Sequence, residues 1–161
     1  MPEPTPLASS GSADVALIRG VAATLAEPAA LEHAREMLAA AEADVGLLAP
    51  HCRACGRCCD FDAAGHRLYV STAELALLVA DDAREPGETL RCPYQQGSAC
   101  TVRENRPLGC RVFFCDAALA ASMRAVYERH HAGFRQLHEA LSVPYFYVEL
   151  TAGLSIYTHG P

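Results

Sequence analysis

The chain contains no lysine; all 13 of its basic residues are arginine. Schiff-base chemistry, a lysine general base and a P-loop lysine are therefore excluded. No uninterrupted apolar stretch approaches the length of a bilayer span, which speaks against a membrane partner. The opening residues, Met1-Pro2-Glu3-Pro4-Thr5-Pro6, carry neither a basic n-region nor an apolar h-region. These absences predict a cytoplasmic protein, in a compartment where thiols stay reduced. There is no excess of positive charge either. The formal net charge of −6 argues against nucleic acid, whose backbone is bound through clustered cations. Solenoid-period repeats and a Gly-rich nucleotide fingerprint are also missing.

What the chain has in quantity is cysteine, eight in 161 residues. Four fall in the block Cys52-Arg53-Ala54-Cys55-Gly56-Arg57-Cys58-Cys59. A CxxC step places two thiolates on one side of a tight turn, within reach of one metal. Gly56 suits the positive φ that such a turn demands. The other four are Cys92, Cys100, Cys110 and Cys115, with no zinc-finger histidine pair to accompany them. In a reducing compartment such an array points to metal rather than to disulfides. The count fits two four-thiolate sites, or one cluster with thiols to spare. Adjacent side chains diverge, so Cys58 and Cys59 are expected to have different jobs. One completes the site begun by Cys52 and Cys55. The other serves a second site or stands as a free thiol of low pKa beside the arginines.

Around the cysteines the pattern is helical. Residues 1–12 are rich in Pro, Ser and Gly and are expected to be disordered. Ser12 is placed to cap a helix reaching about Ala26, with Leu17, Ile18, Val21 and Leu25 on one face. Pro28 suits the first turn of a second helix, whose stripe is Leu31, Ala34, Leu38, Ala41 and Val45 and whose end falls near Gly46. Residues 66–70 read as a short strand. Ser71-Thr72-Ala73-Glu74 is a capping box before a helix of about ten residues. Residues 81–89 form a charged loop. Asp116 is placed to cap the longest helix, to about Ser142, with the stripe Leu119, Met123, Val126, His130, Phe134, Leu137 and Leu141. Residues 145–150 alternate as a strand would, over too short a run to decide. The predicted fold class is mainly α: a small single domain over 13–161, with metal-organised cysteine loops at about 50–116 between flanking helices.

These two cysteine blocks resemble the YkgJ-type cysteine-cluster family, a zinc- or iron-chelating domain named for its CxxCxxCC signature. Here the signature runs unbroken from Cys52 to Cys59. The family's second half matches Cys92-Pro93, then Cys100 with Gly97 slightly displaced, then Arg106-Pro107-Leu108-Gly109-Cys110-Arg111. Val102-Arg103 stands where the family usually has an aromatic, and Cys115 lies beyond the core signature. The resemblance covers about residues 50–116. It implies a metal site built from the eight cysteines, with kinship to the metal domain of flagellin lysine N-methylase and its iron–sulfur precedent.

Thiolates suit zinc and iron–sulfur clusters alike. The CxxCxxC run, with a remote fourth cysteine at Cys92, Cys100 or Cys110, tips the expectation slightly towards a [4Fe–4S] cluster over Zn2+. The function expected is metal-cluster binding in the service of redox or electron transfer, with a protein redox partner. Two alternatives stand beside it: a zinc-stabilised interaction module without catalysis, and an accessory relative of protein lysine N-methylases. Arg53, Arg57, Arg91, Arg103, Arg106 and Arg111 crowd the same blocks, where they neutralise thiolate charge or bind an anion. His51 is the nearest outside ligand candidate. His130 reads as a core histidine, and His33, His131 and His138 as solvated.

Overall fold

The structure is a computed structural model that describes residues 12–158. The disorder expected for residues 1–12 lies outside the described residues, except at Ser12, which opens the first helix. That helix, α1, spans Ser12–Leu25 and buries Ile18, Val21 and Leu25, while Leu17 turns to solvent. Pro28 starts α2 (Pro28–Leu47) after an extended Glu27, since its missing N–H is one the first turn cannot use. The five stripe residues expected on α2 are all buried.

Next come a single 3₁₀ turn (Arg57–Cys59), the short helix α3 (Phe61–Ala64), the strand β1 (Tyr69–Ser71) and the helix α4 (Thr72–Asp82). The capping box forms as expected. Ser71 Oγ accepts from the Glu74 amide and Glu74 reaches back to the Ser71 amide. Helix α4 is buried on all sides from Thr72 to Leu78, the signature of a central helix. It packs against α1, α2 and β1, and Glu74 Oε1 accepts from the amide of Leu108 at 2.7 Å.

A two-residue hairpin follows, β2 (Gln95–Gln96) and β3 (Ala99–Cys100), turning at Gly97 with φ +61°. Beyond it lie α5 (Leu108–Val112) and α6 (Ala120–Ala140). Asp116 caps a 3₁₀ turn (Ala117–Leu119) ahead of α6, so the long helix begins three residues later than its cap suggests. The undecided tail resolves as β4 (Tyr147–Glu149), antiparallel to β1 with Val70 opposite Val148, then α7 (Leu150–Thr158). Helix α7 had no counterpart in the sequence reading.

The mainly α class holds. The metal-organised cysteine loops do not. Among the described residues no group of three or more His, Cys, Asp and Glu side chains is arranged to hold a metal ion. Ordinary forces order the segment instead. Phe61 and Tyr94 are fully buried in a cluster with Leu68, Val70, Leu75 and Leu78, and each such side chain contributes about 1.5–3 kcal/mol. The two cysteine blocks are joined by backbone bonds, Cys92 N to Cys59 O (2.8 Å) and Phe61 N to Leu90 O (2.9 Å), on either side of an antiparallel bridge between Asp60 and Arg91. An ion pair links the same two side chains. Arg111, buried, donates from Nη1 to Glu42 (2.7 Å) and from Nε to the Arg106 carbonyl (2.9 Å), tying the second block to α2. It is thus occupied structurally rather than available to an anion.

Candidate functional site: a thiol-lined cavity

Between the two cysteine blocks lies a cavity of about 580 Å³. Cys52, Cys58, Cys59, Cys92, Cys100 and Cys110 line it. Cys55 and Cys115 face a shallower hollow next to it, which Cys58 also reaches. All eight cysteines are free. The thiols are therefore divided between two concavities, with Cys58 reaching both. Cys52, Cys55 and Cys115 stay exposed on the rim, while Cys58 and Cys59, expected to diverge, both face the cavity and are hydrogen-bonded to each other.

Each wall has a local cause. Gly56 takes φ +69° and leads the chain into the 3₁₀ turn that carries Cys58 and Cys59. A Cβ there would sit 2.5 Å from Gln95 Nε2 and 2.9 Å from the Ser98 Cα, so only glycine fits. Gln95 Nε2 donates to the carbonyls of Gly56 and Gly97, both at 2.9 Å, and holds the first block against the hairpin. His66 Nε2 donates to the Cys58 carbonyl at 3.0 Å, its ring stacked on Phe113. Cys110 sits on α5, whose first amide, that of Leu108, is held by the buried Glu74 (2.7 Å).

Electrostatics separate the vicinal pair. A hydrogen bond from Cys59 brings the Cys58 thiol down to about 6, against the opposing push of burial, and His66 and Arg106 assist. Cys59, as the donor, is held up: the Cys58 bond raises it, then burial, then the neighbouring Cys92 and Cys110 sulfurs. The two share one proton in effect. Burial pushes Cys92 up to about 11 and Cys110 higher still.

The register around Asp60 and Arg91 sets Cys59 directly opposite Cys92. Opposed residues of this kind have Cα atoms about 5.5 Å apart, inside the window a disulfide spans.

Apart from the Cys58 thiolate, the charged side chains around the cavity are all cationic. Arg67, Arg103 and Arg106 line it, and no aspartate or glutamate does. Arg106 Nε is buried with no hydrogen-bond partner.

Two of the histidines, His131 and His138, fall differently from expectation, while His33 is exposed as expected. His130, half-buried, bonds Asp44 at 2.8 Å. His138 is fully buried between Thr72 Oγ1 (3.3 Å) and the Pro144 carbonyl (2.9 Å), and half-buried His131 bonds the Tyr145 hydroxyl. Burial lowers the pKa of both His131 and His138. Neither is a solvated surface residue; the tail that covers them, 144–149, is what the sequence left undecided.

No protein-family model matches the chain, and no curated protein or solved structure compared with it matches either. The resemblance to the YkgJ-type family is therefore not upheld, although the CxxCxxCC spacing stands in the sequence. With no metal-holding group among the described residues, the expected [4Fe–4S] or zinc cofactor falls, and with it the metal-cluster function, the metal partner and the kinship to lysine N-methylases. The thiols that share the larger cavity are nowhere drawn together, three or more at a time, in an arrangement that could hold a metal ion, and Cys55 and Cys115 face a separate hollow. Among the described residues no helix is long and apolar enough to cross a membrane.

Proposed function

We propose that the protein is a thiol–disulfide exchange protein, with Cys58 as the attacking thiolate and the opposed pair Cys59 and Cys92 as the dithiol that is oxidised. The observation that carries this reading is the convergence of six thiols on one cavity, with Cys59 and Cys92 next to the Asp60–Arg91 bridge and joined by the Cys92 N to Cys59 O bond. Exchange needs a thiolate, an accessible disulfide and a second thiol in reach. Cys58 at about 6 is ionised at neutral pH.

The steps balance without any further oxidant. The Cys58 thiolate attacks one sulfur of a small disulfide, forming a mixed disulfide and releasing the first thiolate. Cys59 then attacks the Cys58 sulfur, gives up its proton, and releases the second. This vicinal bond joins Cα atoms only about 3.8 Å apart, shorter than the usual disulfide span, so it is strained and short-lived. Cys92 attacks the Cys59 sulfur, and Cys58, the better leaving group for its low pKa, departs as thiolate. Cys59 and Cys92 end oxidised, the substrate ends as two thiols, and the protons of Cys59 and Cys92 pass to them.

In this reading residues 13–161 act as one domain, and a reducing compartment such as the cytoplasm supplies the dithiol state. The test is peptide mapping after exposure to a small disulfide. A Cys59–Cys92 crosslink, lost in Cys58→Ser, supports the reading. Random pairing among all eight cysteines, or an unchanged crosslink in Cys58→Ser, refutes it.

A further inference from the structure

We infer that the cavity is built for an organic acid with an apolar body, so that its exchange substrate is a carboxylate-bearing disulfide. The sulfur half of this inference rests on the exchange reading; the acid half stands on the cavity alone. In a chain of net charge −6, this cavity is lined by three arginines and no carboxylate. Arg67 is engaged at the rim with Asp62 at 3.3 Å. Arg106 is not satisfied. Its Nη2 reaches Glu42 only at 3.4 Å, and the same carboxylate oxygen takes the shorter bond of 2.7 Å from Arg111. Its Nε has no acceptor at all. An enclosed guanidinium N–H without an acceptor is costly, and a carboxylate is the acceptor that its fork best fits. Arg103, exposed beside it, adds a second positive charge.

The rest of the wall selects the body of the ligand. Leu68, Leu78, Tyr94, Val102 and Leu150 face the cavity. Its volume of about 580 Å³ lies within the range of sites that enclose small organic molecules. A peptide-like disulfide with many polar groups would leave those groups unpaired against such walls. An aromatic or aliphatic acid would not.

The experiment uses two chromogenic disulfides on the whole protein, with modification at Cys58 followed by peptide mass spectrometry. Dithiobis(nitrobenzoate) carries a carboxylate on each ring; dithiodipyridine is neutral. Arg106→Gln should slow the first by about tenfold more than the second, the ratio that 1.4 kcal/mol represents. Any change in Cys58 ionisation acts on both reagents and cancels in that ratio. Phenylbutyrate should protect Cys58 in the wild type, and phenylbutanol should not. Arg103→Gln, at an exposed position, repeats the comparison if Arg106→Gln does not fold. Equal slowing of both reagents, or equal protection by acid and alcohol, overturns the acid site. If calorimetry shows Arg106-dependent phenylbutyrate binding while Cys58 reacts no faster than exposed Cys52, the acid site stands and the exchange reading fails.

Discussion

Replacing Glu74 by alanine should be among the most damaging single changes in the molecule. The carboxylate is buried, and its two oxygens serve three donors: the Ser71 amide (2.8 Å), the Ser71 hydroxyl (2.7 Å) and the Leu108 amide (2.7 Å). The first two begin α4 and the third begins α5, so one side chain fixes the angle between the central helix and the helix that carries Cys110. Pro107, the residue before α5, offers no side-chain cap. In Glu74→Ala two buried amides lose their acceptor at about 1–3 kcal/mol each, and the vacated space adds a cavity cost. A loss of about 3–6 kcal/mol is expected, a large part of the stability of a small domain. With no tryptophan in the chain, urea unfolding is best followed by far-ultraviolet circular dichroism, at unchanged slope. Cys110 should become readily alkylated in the folded variant. A loss below about 1 kcal/mol with Cys110 still protected would refute the assignment of Glu74 as the joint between the two helices. Burial raises the Glu74 pKa above the ordinary carboxylate range, despite the Ser71 and Leu108 bonds that oppose it. The folded state therefore keeps the proton that the unfolded chain releases near its ordinary 4.5. Stability from this group is full below that pH and is lost as pH rises through the raised folded value. The margin of wild type over Glu74→Gln should shrink over the same interval.

Gly56→Ala should destabilise the fold by about 2–3 kcal/mol, combining the left-handed backbone cost with loss of the Gln95 bond; a change within the noise of urea titration would mean that the first block is free to relax. The rate of iodoacetamide labelling at Cys58 should rise with pH around a midpoint of about 6, and a midpoint near that of an ordinary thiol would contradict the hydrogen bond from Cys59. Cys59→Ala should move that midpoint upwards, because the largest cause of its depression is removed; no movement would assign the effect to His66 and Arg106 instead. His66→Phe should keep the stacking on Phe113 yet lose the bond to the Cys58 carbonyl, slowing exchange without unfolding the protein; wild-type exchange by this variant would show that His66 plays no positioning role.

The helices α1, α2 and α4 were legible because their signals are local. A proline at the first turn, a stripe at spacings of three and four, and a serine–glutamate box each sit within one segment. Gly56 was legible for the same reason: a positive φ was expected there, and it occurs. Strand β4 and helix α7 were not, because the run from Tyr145 to Leu150 becomes a strand only by pairing with Tyr69–Ser71, far away in sequence. Nor could the buried state of His138 be read, since its partners, Thr72 and Pro144, come from two other segments. For the site, spacing gives the order of the thiols along the chain and not what they can hold together. CxxCxxCC says how far apart cysteines lie along the chain, whereas what they can hold depends on where the turn between Gly56 and Asp60 aims them. Here it aims Cys58 and Cys59 at one cavity and Cys55 at another. The arginines were counted in the sequence, but which of them lack partners is visible only in three dimensions.

The placement of Cys59 across from Cys92 makes the oxidation state and the folding equilibrium two readings of one quantity. A bond between them would close a loop of roughly thirty residues, which constrains the unfolded chain by about 3–4 kcal/mol. Thermodynamic reciprocity requires that folding favour the bond by the same amount, equivalent to about 60–90 mV in the potential of the pair. Any change that loosens the Asp60–Arg91 bridge should therefore alter the potential as well as the melting temperature, and in proportion. Heat and reductant then act as interchangeable variables on this protein, and a map of stability against redox buffer would trace a single coupled surface.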